Sequence, residues 1–94
     1  MTIEVAFDLF GPIRDVVGKK RVTESFDDDV SIRDGFSALC DSFPELESHL
    51  GPDGSRTDGV TVTVDGRNIR QLDGIETTLT DGAVVRLAPP VVGG

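Results

Sequence analysis

The sequence has few of the residues that enzymes and metal sites most often use. It contains one cysteine, one histidine and one methionine, and it has neither tryptophan nor tyrosine. A single thiol excludes an internal disulfide, and also any iron–sulfur or cysteine-cluster metal site built by this chain alone. Serine, histidine and aspartate all occur, but no nucleophile elbow or similar local motif organises them. We therefore expect no catalysis by this chain on its own.

Cationic residues are also scarce. Nine lysines and arginines face 17 aspartates and glutamates, so the formal net charge is −8. This balance argues against nucleic-acid binding, which needs clustered arginine and lysine, and against anionic membranes. The acids are mostly aspartate, and Lys19 and Lys20 are the only lysines. Such a surface resembles that of proteins from salt-loving cells, where salt screens self-repulsion. An ordinary acidic surface that aids solubility is the alternative.

Long apolar runs are missing as well. The chain starts Met1-Thr2-Ile3-Glu4-Val5, with an acid where a signal peptide would be basic. We therefore expect a cytoplasmic protein. Its 94 residues suit one domain with one core, and we expect a monomer.

The first part of the chain predicts a hairpin. Apolar residues alternate over Thr2–Phe10 and over Arg21–Phe26, which indicates two half-buried strands. Gly11-Pro12 ends the first strand, and Ile13–Gly18 is predicted to be a turn or loop with apolar anchors. The run Asp27-Asp28-Asp29 is interpreted as a solvated connection, because hard-cation loops need alternately spaced ligands and turn glycines.

One helix is expected next. Ser31 and Asp34 have the spacing of a capping box, and Pro44 ends the helical pattern. An apolar stripe follows at helical spacing: Ile32, Phe36, Leu39, Cys40 and Phe43. Cys40 is therefore predicted to be a buried thiol, and Gly35 to weaken the helix interior by about 1 kcal/mol. Glu45–Leu50 is expected to form a further short turn, and His49 within it has no partner at a signature spacing.

The second half predicts three more strands. A polar loop rich in glycine and proline precedes Val60–Val64, and Asp65-Gly66 is a two-residue hairpin signal before a short return strand. Leu72, Ile75 and Leu79 are isolated core anchors, and Ala83–Ala88 is the last strand. The order β-β-α-β-β-β predicts an α+β fold in which one helix covers one face of a sheet.

The last strand leads directly into a stiff, narrow tail. Residues 1–88 are predicted to form the domain, and the tail is Pro89-Pro90-Val91-Val92-Gly93-Gly94. The prolines favour an extended segment that loses little entropy on entering a channel. The glycines leave the terminal carboxylate uncrowded, and that carboxylate is ionised at neutral pH. It is thus an oxygen nucleophile that a partner enzyme could join to the α-phosphate of ATP.

These features together resemble one family. The order of elements and the ending from Asp81 to Gly94 are similar to those of the MoaD/ThiS sulfur-carrier family, and most of all to the small archaeal ubiquitin-like modifier proteins (SAMPs). The Arg14–Lys19 and Phe43–Leu46 segments fit the same pattern, whereas Ala88 replaces the larger apolar residue that the family often carries before the prolines. The resemblance implies a β-grasp (ubiquitin-like) fold, with a mixed sheet of four to five strands, one main covering helix and a flexible C-terminal tail.

The resemblance also implies a function centred on Gly94. An E1-like enzyme, using ATP and Mg²⁺, would adenylate the Gly94 carboxylate, and residues 89–93 would be recognised as the tail. The terminus would then become a thiocarboxylate that supplies molybdopterin synthesis or tRNA thiolation, or would form an isopeptide bond to a target lysine. The chain itself would bind no cofactor, and Lys19 and Lys20 would be its only side-chain acceptors. Two alternatives stay open: a small subunit of molybdopterin synthase, and a β-grasp interaction module that is never activated.

Overall fold

The computed structural model describes residues 1–51, 56 and 59–89. Five strands form one mixed sheet in the order β2-β1-β5-β3-β4. The strands are β1 Thr2–Leu9, β2 Arg21–Asp27, β3 Thr61–Val64, β4 Arg67–Asn68 and β5 Val84–Ala88. β1 pairs antiparallel with β2 and parallel with β5, and β3 pairs antiparallel with both β4 and β5. The last strand of the chain is therefore the centre of the sheet.

Alternation along β1 explains which face of the sheet is covered. Ile3, Val5, Phe7 and Leu9 are buried, while the residues between them point to the opposite face. In β2, Val22 is buried, and Phe26 packs against the core with its ring 6.4 Å from that of Phe7. The predicted hairpin of two half-buried strands is confirmed.

The connection between β1 and β2 is a helix, α1 (Gly11–Val17), and the prediction of a turn or loop there was wrong. The N–H groups of the first helical turn have no acceptor within the helix, so proline, which has no N–H, is well tolerated there. Pro12 therefore ends the strand pattern and also favours the start of α1. Gly18 caps the other end in the left-handed region, and its N–H donates to the Arg14 carbonyl at 2.7 Å. Ile13 is the single buried anchor of this short helix.

The main helix, α2 (Ile32–Ser42), starts as predicted. The Ser31 hydroxyl accepts from the Asp34 N–H at 3.3 Å, and the Asp34 carboxylate accepts from the Ser31 N–H at 3.1 Å. The predicted helical stripe is buried except for Phe43, which packs against the core from a half-buried position.

Gly35 has a packing role that periodicity alone does not reveal. A Cβ atom at this position would lie 3.0 Å from the Phe7 Cζ atom. The missing side chain therefore lets α2 approach β1 closely, which offsets the lower helix propensity of glycine.

The segments after α2 also pack into the core. Residues Pro44–Leu46 form a 3₁₀ turn and Glu47–Leu50 form α3, so the predicted short turn contains two helical turns. Leu46 and Leu50, one from each, are fully buried. Two further 3₁₀ turns, Ile69–Gln71 and Gly74–Glu76, lie between β4 and β5, and Leu79 after them is buried. The Asp65-Gly66 hairpin turn joins β3 to β4 as predicted.

Candidate functional site

The root of the predicted tail is the end of the central strand. Pro89 directly follows β5, whose Val85 and Leu87 are fully buried between the neighbouring strands. Pairing with β1 on one side and β3 on the other fixes the backbone up to Ala88. The domain therefore holds the tail from a rigid position. The rest of the predicted tail, residues 90–94, lies outside the described residues, and with it the proposed reactive residue Gly94.

The root of the tail contacts the start of α1. The Phe10 N–H donates to the Leu87 carbonyl at 3.1 Å. The adjacent Gly11 has φ +59°, and a Cβ atom there would lie 2.7 Å from Cγ and 3.3 Å from Cδ of Pro89. Glycine is thus favoured twice at position 11, by the left-handed backbone and by the space that the Pro89 ring occupies. This contact helps to set the direction in which the chain leaves the sheet.

A small cleft opens beside Pro89. Its volume is about 100 Å³ and its lining residues are Pro12, Ile13, His49, Gly59, Val60 and Pro89. His49 is half-buried in this cleft at the root of the tail. It has no partner at a signature spacing in the sequence. The cleft comes from four separated parts of the chain, so no local pattern could have indicated it.

Charged residues form a row across the sheet face opposite the core. Asp8 lies opposite Arg21 in the pairing of β1 with β2, and opposite Arg86 in the pairing of β1 with β5. The Arg21 guanidinium donates from Nε to Oδ1 of Asp8 at 2.5 Å and from Nη2 to Oδ2 at 3.0 Å. The pKa of Asp8 is lowered, because the Arg21 hydrogen bond and the charges of Arg21 and Arg86 outweigh the opposing effect of burial.

The two predicted acceptor lysines lie between α1 and β2. Both Lys19 and Lys20 are exposed, and the Lys20 carbonyl accepts from the Leu9 N–H at 2.8 Å. The backbone at this point is therefore tied to β1 while the lysine side chain stays accessible. Accessibility is compatible with modification of these side chains, which stays a prediction.

The remaining candidates are structural. Cys40 is buried, as predicted, and its Sγ lies 4.0 Å from the Gly51 carbonyl oxygen. Asp28 of the acidic run contacts the amino terminus of Met1 at 3.5 Å. Within the described ranges, no group of three or more histidine, cysteine, aspartate or glutamate side chains is placed to hold a metal ion. Across the same residues, none of the helices is long and apolar enough to span a bilayer.

Comparison with known proteins gives one consistent answer. The model of the ThiS family matches residues 7–94. The chain is 37% identical over 94 residues to Small archaeal modifier protein 3 of Haloferax volcanii, with 100% of both sequences covered. The crystal structure of SAMP1 from Haloferax volcanii is similar with a TM-score of 0.81 and 29% identity, covering 97% of this chain and 99% of that one.

A further similar structure contains a partner. It is the protein–protein complex of subunits 1 and 2 of molybdopterin-converting factor from Helicobacter pylori, with a TM-score of 0.61 and 25% identity over 98% of this chain and 100% of the matched one. The predicted ubiquitin-like β-grasp fold and the predicted resemblance to small archaeal modifiers are both confirmed. The expectation of archaeal, salt-loving relatives is confirmed too.

Proposed function

Because the chain belongs to the ThiS family of small ubiquitin-like modifiers and sulfur carriers, we propose that it works through covalent activation of its tail. An E1-like enzyme binds the tail and uses ATP with Mg²⁺ to adenylate the Gly94 carboxylate. The chain is then a substrate and carrier that binds no cofactor of its own. The observation that carries the proposal is the family match through residue 94, which includes residues 89–94 after the central strand.

The chemistry needs only the terminal carboxylate from this chain. One carboxylate oxygen attacks the α-phosphorus of ATP, pyrophosphate leaves, and an acyl-adenylate forms. In conjugation, a deprotonated lysine amine of a target protein attacks the acyl carbon and AMP leaves, which gives an isopeptide bond. In sulfur transfer, a persulfide of the activating system displaces AMP, and a thiol then reduces the acyl disulfide to the thiocarboxylate. Glycine at position 94 suits both routes because no Cβ crowds the acyl carbon.

The domain contributes presentation rather than catalysis. The tail root is fixed by β5 in the centre of the sheet and by the contact of Pro89 with Gly11. A tail that starts from a fixed point loses less entropy on binding than one on a mobile base, since each free residue that is ordered costs about 1–2 kcal/mol. The rigid root and the prolines therefore both favour insertion into an enzyme channel.

A tagged-protein experiment tests this function. The chain carries an N-terminal tag in its native host, beside a variant that lacks Gly93 and Gly94. The intact mass of the native protein first establishes that Gly94 is its last residue. A ladder of denaturation-resistant adducts that disappears on truncation supports conjugation, and an oxygen-to-sulfur increase in the terminal mass supports sulfur transfer. If neither appears under several growth conditions, the proposed function is wrong.

A second candidate function is the small subunit of a molybdopterin synthase. The similarity to the Helicobacter pylori complex of subunits 1 and 2 supports it. In that case the tail, carrying a Gly94 thiocarboxylate, enters the active site of a larger subunit. Recovery of one large subunit in equal amount with the tagged chain, together with a terminal thiocarboxylate and no adduct ladder, would favour this second function.

A further inference from the structure

A group of cations interrupts the acidic surface beside the tail root. Two shallow depressions share Arg14 and Lys20, so their linings form one continuous surface. We call five of the lining residues the cationic patch: Phe10, Arg14, Lys19, Lys20 and Arg21. Lys19, Lys20 and Arg21 are consecutive in the sequence, and folding places Arg14 of α1 and Phe10 beside them.

The charge of the patch is opposite to that of the chain. It holds four of the nine cationic residues, and the two carboxylates in the same depressions are Asp8 and Asp15. The lining of the two depressions therefore carries a net charge of +2, whereas the whole chain carries −8. A surface that needed only solubility would have no reason to gather its scarce cations at one place.

Most of these cations have no internal counter-ion. Arg21 is held by Asp8, but Arg14, Lys19 and Lys20 form no salt bridge within the part of the chain that the structure describes. Like charges at short range repel one another, and Asp8 and Asp15 in the same depressions offset only two of the four positive charges. The missing counter-charge has to come from solvent ions or from a binding partner.

An aromatic ring accompanies the cations. Phe10 is 41% exposed, and among the described residues the only other large hydrophobic side chain with comparable exposure is the terminal Met1. Aromatic and arginine side chains are the residues most enriched at the energetic centres of protein interfaces. Phe10 also precedes Gly11, which touches Pro89. The patch therefore begins where the tail leaves the domain.

We infer that the cationic patch docks an acidic surface beside the tail channel of the activating enzyme. This inference rests on the proposed function, because it assumes an enzyme that takes the tail. Phe10 is joined to the root of the tail by its hydrogen bond to Leu87, so an enzyme that holds the tail would lie close to this ring. Acidic side chains at the rim of its channel would pair with Arg14, Lys19 and Lys20 around that ring.

High ionic strength favours a partner that forms ion pairs in direct contact with the patch. The Debye length is about 8 Å in 0.15 M salt and about 3 Å in 1 M salt. Distant charges are therefore screened in salty surroundings, while ion pairs in direct contact around a desolvated ring persist. Nucleic acid fits less well, since a phosphate backbone that extends beyond the patch meets the acidic remainder of the surface.

Two charge-reversed variants test the inference. Arg14→Glu/Lys20→Glu reverses the patch, and Arg67→Glu/Arg70→Glu makes the same charge change at the opposite edge of the sheet, on β4 and the turn after it. All four side chains are exposed, so both variants should fold, and thermal unfolding checks this. The measurement is pyrophosphate exchange by the E1-like enzyme of the same organism, with the carrier concentration varied.

The two variants should behave differently. We expect the patch variant to raise KM for the carrier at least tenfold with kcat within twofold of wild type, and the control to change KM less than twofold. Phe10→Ala should raise KM as well. Equal KM values for both charge variants would overturn the docking site while leaving the proposed function intact. Binding to tRNA is measured for the same proteins. If the wild-type chain binds tRNA, the patch variant does not, and the KM of the patch variant is unchanged, the docking site is refuted and the patch binds nucleic acid instead. Absence of exchange with wild-type carrier would instead refute the proposed function.

Discussion

Replacement of Gly11 by alanine tests how the fold fixes the tail root. The alanine Cβ would lie 2.7 Å from Cγ of Pro89, whereas carbon atoms normally pack about 3.5–4.0 Å apart. Alanine in the left-handed region costs about 1–2 kcal/mol. Overpacking against the proline ring adds about 1–3 kcal/mol. Alanine also lowers the conformational entropy of the unfolded chain, which offsets about 0.4–1 kcal/mol of this cost. We expect a net loss of about 1–5 kcal/mol in unfolding free energy for Gly11→Ala, centred near 3 kcal/mol.

Gly18→Ala is the matched control. Gly18 lies at the other end of the same helix with φ +82°, and among the described residues no atom outside its immediate chain neighbourhood lies within 4 Å of a Cβ built there. Gly18→Ala introduces the same backbone strain without a steric contact, so it should lower the unfolding free energy by about 1 kcal/mol. The difference between the two variants, measured by urea unfolding under two-state conditions, reports the contact with Pro89.

A double-mutant cycle with Pro89→Ala separates the contact from the strain. Removal of the Cγ and Cδ atoms of Pro89 should take away the extra cost of Gly11→Ala, giving a coupling of about 1–3 kcal/mol. Equal losses for Gly11→Ala and Gly18→Ala, together with an additive cycle, would refute the conclusion that Gly11 and Pro89 are sterically coupled.

Three further variants probe the domain. Ser31→Ala removes the capping box of α2 and should lower the unfolding free energy by about 1 kcal/mol. An unchanged unfolding free energy in urea titrations would contradict the assignment of this helix start. Gly35→Ala places a Cβ 3.0 Å from the Phe7 ring and should destabilise by about 1 kcal/mol despite better helix propensity, whereas a more stable variant would show that the ring can move. Asp8→Asn should be less stable than wild type at pH 7, because the lowered pKa of Asp8 means that its charged form favours folding. That difference should persist above the unfolded-state pKa of about 4 and disappear as the pH falls through the lower folded-state pKa, and a difference independent of pH would exclude the ion pair with Arg21 as its source.

Local patterns in the sequence determined most of the elements. Alternation over β1 selected its four buried residues, and the Ser31 capping box marked the first turn of α2. The double proline and the two glycines, with the strand before them, indicated the family and a reactive tail. Such signals are strong because each depends on residues a few positions apart, where backbone geometry alone relates them.

Only the tertiary structure decided how these elements meet. The parallel pairing of β1 with β5 joins residues about eighty positions apart, and it brings the start of α1 against the tail root. That arrangement explains why position 11 is glycine, why His49 lies beside Pro89, and why Phe10 and the nearby cations lie next to the root of the tail. Short-range periodicity carries no information about such contacts, because they depend on strand order. The sequence therefore predicted which end reacts, and the fold determined where the root of the tail leaves the sheet and which surface surrounds that root.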